Sequence, residues 1–201
     1  MTFSAEDIRI WLHQCAERMI ASADELNELD AQLGDGDLGA TLEKCAELML
    51  TGLADAADRP SDHFKTCAMA CTRASGSSFG TLLAVAFMTA AKETADRGVL
   101  LVQEIAPLIG DVNAVLMARG RSNLGDKTAL DSLDAIRQAV HDIECPEDLH
   151  DLACQAANEA IVAFKMQPNK IGRARMFAEK SIGIVDPRMV AVARMIGSPV
   201  G

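Results

Sequence analysis

Asp30, Asp35 and Asp37 are interleaved with Gly34, Gly36 and Gly39 in the segment Leu29-Asp30-Ala31-Gln32-Leu33-Gly34-Asp35-Gly36-Asp37-Leu38-Gly39. Glycines let a chain curl through conformations that a Cβ disfavours. Two carboxylates two residues apart can then point at one spot, with Asp30 reaching in from the end of a helix. Three carboxylates packed together repel one another, and some would protonate unless a cation intervened. Mg²⁺ answers that need, because it takes a few carboxylates and completes its shell with phosphate oxygens and water. An EF-hand does not fit: counted from Asp35, the third ligand position is Gly39, and no Glu stands at the twelfth. The plain alternative is a solvated acidic turn capping the next helix. Three glycines among three aspartates favour the metal.

Three further loops carry polar groups suited to a phosphorylated ligand. Ala74-Ser75-Gly76-Ser77-Ser78-Phe79-Gly80-Thr81 offers hydroxyls and backbone N–H groups just before an apolar helix, where unpaired donors and the macrodipole favour phosphate. It is not a Walker A loop, since no Lys follows the last glycine, and a Ser-rich helix cap explains it equally well. Arg119-Gly120-Arg121-Ser122-Asn123-Leu124-Gly125-Asp126-Lys127-Thr128 sets two arginines and a lysine between helices. There Asp126 or Thr128 either caps the next helix or meets a ligand. Gly172-Arg173-Ala174-Arg175 and Asp186-Pro187-Arg188 add guanidinium groups, whose fork donates two parallel hydrogen bonds to phosphate. Surface salt bridging is the alternative for each arginine taken alone. Together the four loops read as a nucleotide–Mg²⁺ site.

Such loops need a frame, and the pattern supplies helices. Ser4 and Asp7 match an N-cap with an acidic third residue, followed by Ile8, Leu12, Cys15 and Met19 on one face. A short helix through Leu26 and Leu29 should end at Gly34, and a third should span residues 39 to 53. Ser61 can cap a fourth that runs to about Ala74. The fifth spans 79 to 97, and the sixth spans 100 to 119, interrupted or shifted by Pro107. The seventh covers 127 to 143, the eighth runs from Pro146 to before Pro168, and short pieces at 173–180 and 187–195 form the tail. Strand-like alternation is nearly absent. About eight amphipathic helices with short connections imply an all-α bundle or closed ring, read as a single domain over 1–201. Alternate connections emerge at one end, so the four loops can meet on one rim.

Composition narrows the partners. The net charge is −10 and aromatics make up 3% of 201 residues, with no tyrosine. Nucleic-acid binding wants basic surface and stacking faces, so it is not expected. The chain's most apolar run, residues 79 to 91, falls short of the roughly 20 residues a membrane span needs. The N-terminus lacks the basic and apolar regions of a signal peptide, which implies the cytoplasm. The six cysteines (15, 45, 67, 71, 145 and 154) lie in apolar helical stretches without Cys-x-x-Cys, and are expected to be small buried residues, not ligands or disulfides.

The four loops together resemble the nucleotide-binding L subunit of the dihydroxyacetone kinase family, from about Leu26 to Pro187. The resemblance rests on Asp30-x4-Asp35-Gly36-Asp37-x-Gly39, on Gly125-Asp126-Lys127-Thr128 with Asp131, and on Gly172-Arg173-Ala174 followed by Ser181-Ile182-Gly183 and Asp186-Pro187. It implies an antiparallel barrel of eight helices that binds ADP or ATP at one end through Mg²⁺, held as two ions by Asp30, Asp35 and Asp37. Leu38, Gly39, Ala40, Thr41, Ala74, Ser75, Gly120, Ala129, Arg173, Asp186, Pro187 and Arg188 fall where the family contacts nucleotide, and Arg173 would stabilise the transferring group. The activity implied is phosphoryl transfer to dihydroxyacetone or a related short ketose. The ketose would be held by a separate substrate-binding K subunit, because the part that attaches it to a histidine is absent from this chain. A phosphohistidine carrier protein is a second partner the family allows, and a homodimer a third. Leu38 stands where a histidine is usual, Ala129 replaces a methionine, Lys180 an arginine, and Arg188 a small residue. Leu38 and the missing substrate half keep one rival open: a non-catalytic, ADP-loaded regulatory module.

Overall fold

The computed structural model describes residues 2–55, 57–74, 76–143, 145–172, 175–176 and 178–198. The first helix, α1 (Ala5–Ala21), starts where the sequence asks it to. Ser4 Oγ accepts from the Asp7 N–H at 3.2 Å and Asp7 returns a carboxylate to the Ser4 N–H at 2.8 Å, so two orphan donors are satisfied reciprocally. Its buried face is Ile8, Leu12, Cys15 and Met19. The helices that follow are α2 (Ala23–Asp30), α3 (Leu38–Gly52), α4 (Pro60–Ala74), α5 (Ser78–Glu93), α6 (Ile105–Gly120), α7 (Ala129–Ala139), α8 (Pro146–Phe164) and α9 (Pro187–Ile196).

Three expectations shift. Residues 2–4 and 99–101 form a two-stranded antiparallel ribbon, β1 (Thr2–Ser4) and β2 (Val99–Leu101), with Thr2 opposite Leu101. Three residues are too few to show alternation in a sequence. The sixth helix therefore begins at Ile105 and not at 100, and Pro107 sits in its first turn, where the missing N–H has no helical acceptor to lose. The fifth and seventh helices are shorter than their patterns: α5 stops at Glu93, and Thr128 caps α7 through a box with Asp131.

Successive helices pack on one another, and α9 returns against α1, α2, α7 and α8, which closes the ring. Gly52 lies beside Thr66, and Cys71 Sγ lies 4.0 Å from Met49 Sδ, so α3 and α4 run antiparallel. That register leaves Ala74 at the same end as Leu38. The apolar interior has two parts, one walled mainly by α1 to α5 and the other by α6 to α9. Helix α9 joins them, giving Val190 and Ala191 to the first and Val192 and Ala193 to the second. The expected all-α ring is therefore present, with one small ribbon added. Among the described residues no helix is long and apolar enough to cross a membrane.

All six cysteines are free, and five are buried; Cys145 is exposed at the start of α8, contrary to its expected place in the core. Burial pushes the Cys15 thiol up to about 12 and raises that of Cys67. The native protein should give one equivalent of fast reaction with a disulfide reagent, at Cys145, and all six only in denaturant. Cys15 stays protonated in the fold while an unfolded chain ionises near its ordinary value of 9.0. Stability from this thiol is thus intact below pH 9 and declines as pH rises from 9 towards 12, which urea midpoints across that range would reveal.

Candidate functional site

Asp30, Asp35 and Asp37 each bring a carboxylate oxygen within 4.8 Å of the other two. Asp30 is buried at the last turn of α2, and the other two are exposed on the turn into α3. The three glycines act in two ways, not one. Gly36 alone adopts a left-handed backbone, at φ 73°, and its N–H donates to Asp30 Oδ2 at 3.0 Å. Gly34 supplies room instead: a Cβ there would lie 2.9 Å from Asp30 Oδ1. Gly39 lets α3 touch α2, since its Cβ would lie 1.8 Å from the carbonyl oxygen of Ala23.

The solvated-cap alternative fits poorly. Asp37 occupies the N-cap of α3, yet its side chain makes no capping hydrogen bond. The first turn of α3 is served from elsewhere, by Asn27 Oδ1, which accepts from the Ala40 N–H at 3.1 Å. Nothing in the sequence marked Asn27, because its partner is on the next helix. The donor set, three carboxylates with one oxygen of Asp30 already oriented by Gly36, suits a hard cation such as Mg²⁺.

Across from this cluster lies the connection after α8. Asp30, Leu33, Gly34 and Asp35 line one cleft with Asp186, Pro187 and Arg188, so the first and fourth loops do meet. Asp186 caps α9: Oδ1 accepts from the N–H groups of Arg188 (2.9 Å) and Met189 (3.2 Å), and Oδ2 accepts from Asn169 Nδ2 at 2.6 Å. Burial raises its pKa, while the Arg188 guanidinium and these donors oppose the rise. The Arg188 guanidinium itself rests against Gly172, where a Cβ would lie 3.0 Å from Nη1. Arg173 and Ser75 lie outside the described residues.

The third loop joins the fourth through backbone contacts. Lys170 donates from its N–H to the Asp126 carbonyl (3.2 Å) and from Nζ to that of Gly125 (2.8 Å). Thr128 proves to be the cap of α7, and Asp126 folds its own loop by accepting from the Asn123 N–H at 2.8 Å. Lys127 is not a phosphate-facing cation: it is wholly buried, and its ammonium is taken up by backbone carbonyls. In the second loop Ser77 Oγ accepts from the Gly80 N–H at 3.2 Å and so acts as a cap. Ala74, Gly120 and Ala129 do not line the cleft with Asp30. Leu38 is buried in the apolar interior, Gly39 is spent on the helix contact, and the Thr41 N–H bonds the Asp37 carbonyl as α3 begins.

Asp30 and Asp35, two members of the carboxylate cluster, thus share a cleft with Arg188 at the start of α9. The family model described as the DAK2 domain matches residues 32–198. The chain belongs to the DAK2 domain family. It is 28% identical, over 98% of its length and 96% of theirs, to the ADP-binding subunit DhaL of the PEP-dependent dihydroxyacetone kinase of Escherichia coli (strain K12). A second such subunit, from the PEP-dependent dihydroxyacetone kinase 1 of Listeria innocua, is 27% identical over 93% of this chain and 91% of that one. The fold of this chain is also found within the C. freundii dihydroxyacetone kinase solved with AMP-PNP and Mg²⁺, with a TM-score of 0.73 at 20% identity. That alignment covers 98% of this chain and 34% of the longer C. freundii one.

Proposed function

We propose that this chain is the nucleotide-binding subunit of a dihydroxyacetone-kinase-type phosphotransferase, acting as one domain over residues 1–201 in the cytoplasm. It would pass phosphate to dihydroxyacetone, or a related short ketose, held on a substrate-binding partner subunit. The observation that carries the reading is the convergence of Asp30, Asp35 and Asp37 within 4.8 Å, opposite Asp186 to Arg188. The ADP-binding subunits among its relatives support it.

Asp30, Asp35 and Asp37 are the residues that would hold Mg²⁺, as two ions. When bound, the metal supplies neutralisation of the β- and γ-phosphate charge. Asp30 is held for this by the Gly36 N–H, and Asp37 is free of capping duty. Arg188 offers its guanidinium from the other wall of the cleft, and Arg173, on the strength of its place in the sequence, stabilises charge spreading over the transferring group. Gly39 to Thr41, Ala74, Ser75, Gly120, Ala129, Asp186 and Pro187 would contact the rest of the nucleotide. Leu38, buried, presents no polar group to it. No general base is required of this chain, because the acceptor hydroxyl belongs to the partner's ketose.

The test is a reconstitution. The purified chain, Mg²⁺, dihydroxyacetone and a substrate-binding K subunit are mixed with either ATP or a phosphohistidine carrier. Phosphorylated ketose is expected with one of these donors. Its absence with both, while the chain still retains ADP, would leave the regulatory-module reading in its place.

A further inference from the structure

The largest wholly buried side chain among the described residues is a lysine. Lys127 Nζ donates to the carbonyls of Lys165 (3.1 Å), Gln167 (2.8 Å), Ser181 (2.8 Å) and Ile184 (2.7 Å). An ammonium has three protons, so four acceptors leave it nothing to offer a phosphate. Burying such a charge is costly unless hydrogen bonds replace its water, and here backbone oxygens do so. Lys127 also adopts a left-handed backbone at φ 61°, a conformation that persists only where its surroundings enforce it.

The four carbonyls come from the two limbs of the α8–α9 connection, residues 165–167 and 181–184. A chain reversal is closed at its neck by one cation. From the same residue a second link runs on to the cleft. The Lys127 carbonyl accepts from Asn169 Nδ2 at 3.0 Å, and that same amide donates to Asp186, the cap of α9 and a wall of the cleft with Asp30 and Asp35. The Asn169 N–H in turn reaches Ser181 Oγ at 2.8 Å.

We propose that Lys127 is a positioning residue for the nucleotide. Its ammonium draws the two limbs together, and through Asn169 it sets Asp186, Pro187 and Arg188 against the carboxylate cluster. The inference rests on the nucleotide–Mg²⁺ reading above and adds a residue that touches neither ligand. The three aspartates precede α3 and owe none of their described hydrogen bonds to Lys127, so metal and nucleotide binding should separate.

Lys127→Met keeps the volume of the stem and removes the cation; Asn169→Ala keeps the cation and cuts the second link. ADP affinity with Mg²⁺ is read by calorimetry, Mn²⁺ affinity without nucleotide by electron paramagnetic resonance, and folding by circular dichroism. The expected result for Lys127→Met is an ADP Kd raised about 10²-fold, the scale of a misplaced binding wall, with Mn²⁺ affinity unchanged. Asn169→Ala should move in the same direction. Parent-like ADP affinity in a folded Asn169→Ala protein overturns the proposal, as does joint loss of ADP and Mn²⁺ binding in both variants. A parent chain that binds no Mg²⁺–ADP would instead sink the nucleotide reading itself.

Discussion

Asp37→Ala is expected to lower kcat/KM for phosphoryl transfer by at least about 10³-fold, since a metal contributes several kcal/mol of charge stabilisation and ~4 kcal/mol is worth that factor. The fold should hardly notice. Asp37 is exposed and makes no capping bond, so alanine removes no described contact that α3 depends on. It also removes one of three like charges lying within 4.8 Å, which relieves repulsion in the metal-free protein. Asp30→Ala would be a less clean probe, because it also releases the Gly36 N–H that shapes the turn. Asp30→Asn keeps an acceptor for that N–H and should match Asp37→Ala in activity. Thermal melts provide the second measurement. In the parent, Mg²⁺ with ADP should raise Tm by mass action, and in Asp37→Ala the same addition should give little shift. Full activity in either variant would remove the carboxylate trio from the chemistry.

The sequence made part of this site readable, and the boundary has a physical cause. Local features were legible: the Ser4–Asp7 box, the facing residues of α1, and the three aspartates themselves all depend on neighbours within a few positions. Partners chosen by the tertiary fold were not. Lys127 has the composition of a phosphate ligand in a Gly-Asp-Lys-Thr loop, but its acceptors lie 38 to 57 residues downstream. Asn27 and Asn169 stand in helix and loop with no motif around them, and each acquires meaning only from the element folded against it. The β1–β2 ribbon joins residues 2–4 to 99–101, a pairing that three-residue segments cannot announce. The glycines show both cases at once. Gly36 was readable as a turn residue, whereas Gly34 and Gly39 are required for space, which depends on what packs opposite.

Gly39 carries the second large expectation. In Gly39→Ala the new Cβ would stand 1.8 Å from the Ala23 carbonyl oxygen, 2.6 Å from its carbon and 2.9 Å from its Cα, all backbone atoms without a rotamer to yield. Alanine in a helix is favoured over glycine by at most about 1 kcal/mol, whereas overpacking a tight contact costs about 1–3 kcal/mol and at times more. The steric effect wins, so α2 must move away from α3. Helix α2 is only eight residues long and has little stability of its own, so the displacement should spread along it. It carries Asn27, which serves the Ala40 N–H, and Asp30, which completes the carboxylate trio. A net loss of ~2 kcal/mol corresponds to a Tm lower by about 4–8 °C in a chain of this size. Mg²⁺-dependent ADP binding should weaken alongside it, since Asp30 leaves Asp37. Gly98→Ala is the matched control: no atom lies within 4 Å of its added Cβ, and its stability should stay within about 0.5 kcal/mol of the parent. If Gly39→Ala melts with the control and binds ADP as the parent does, then the close approach of α2 and α3 is not what brings the three aspartates together.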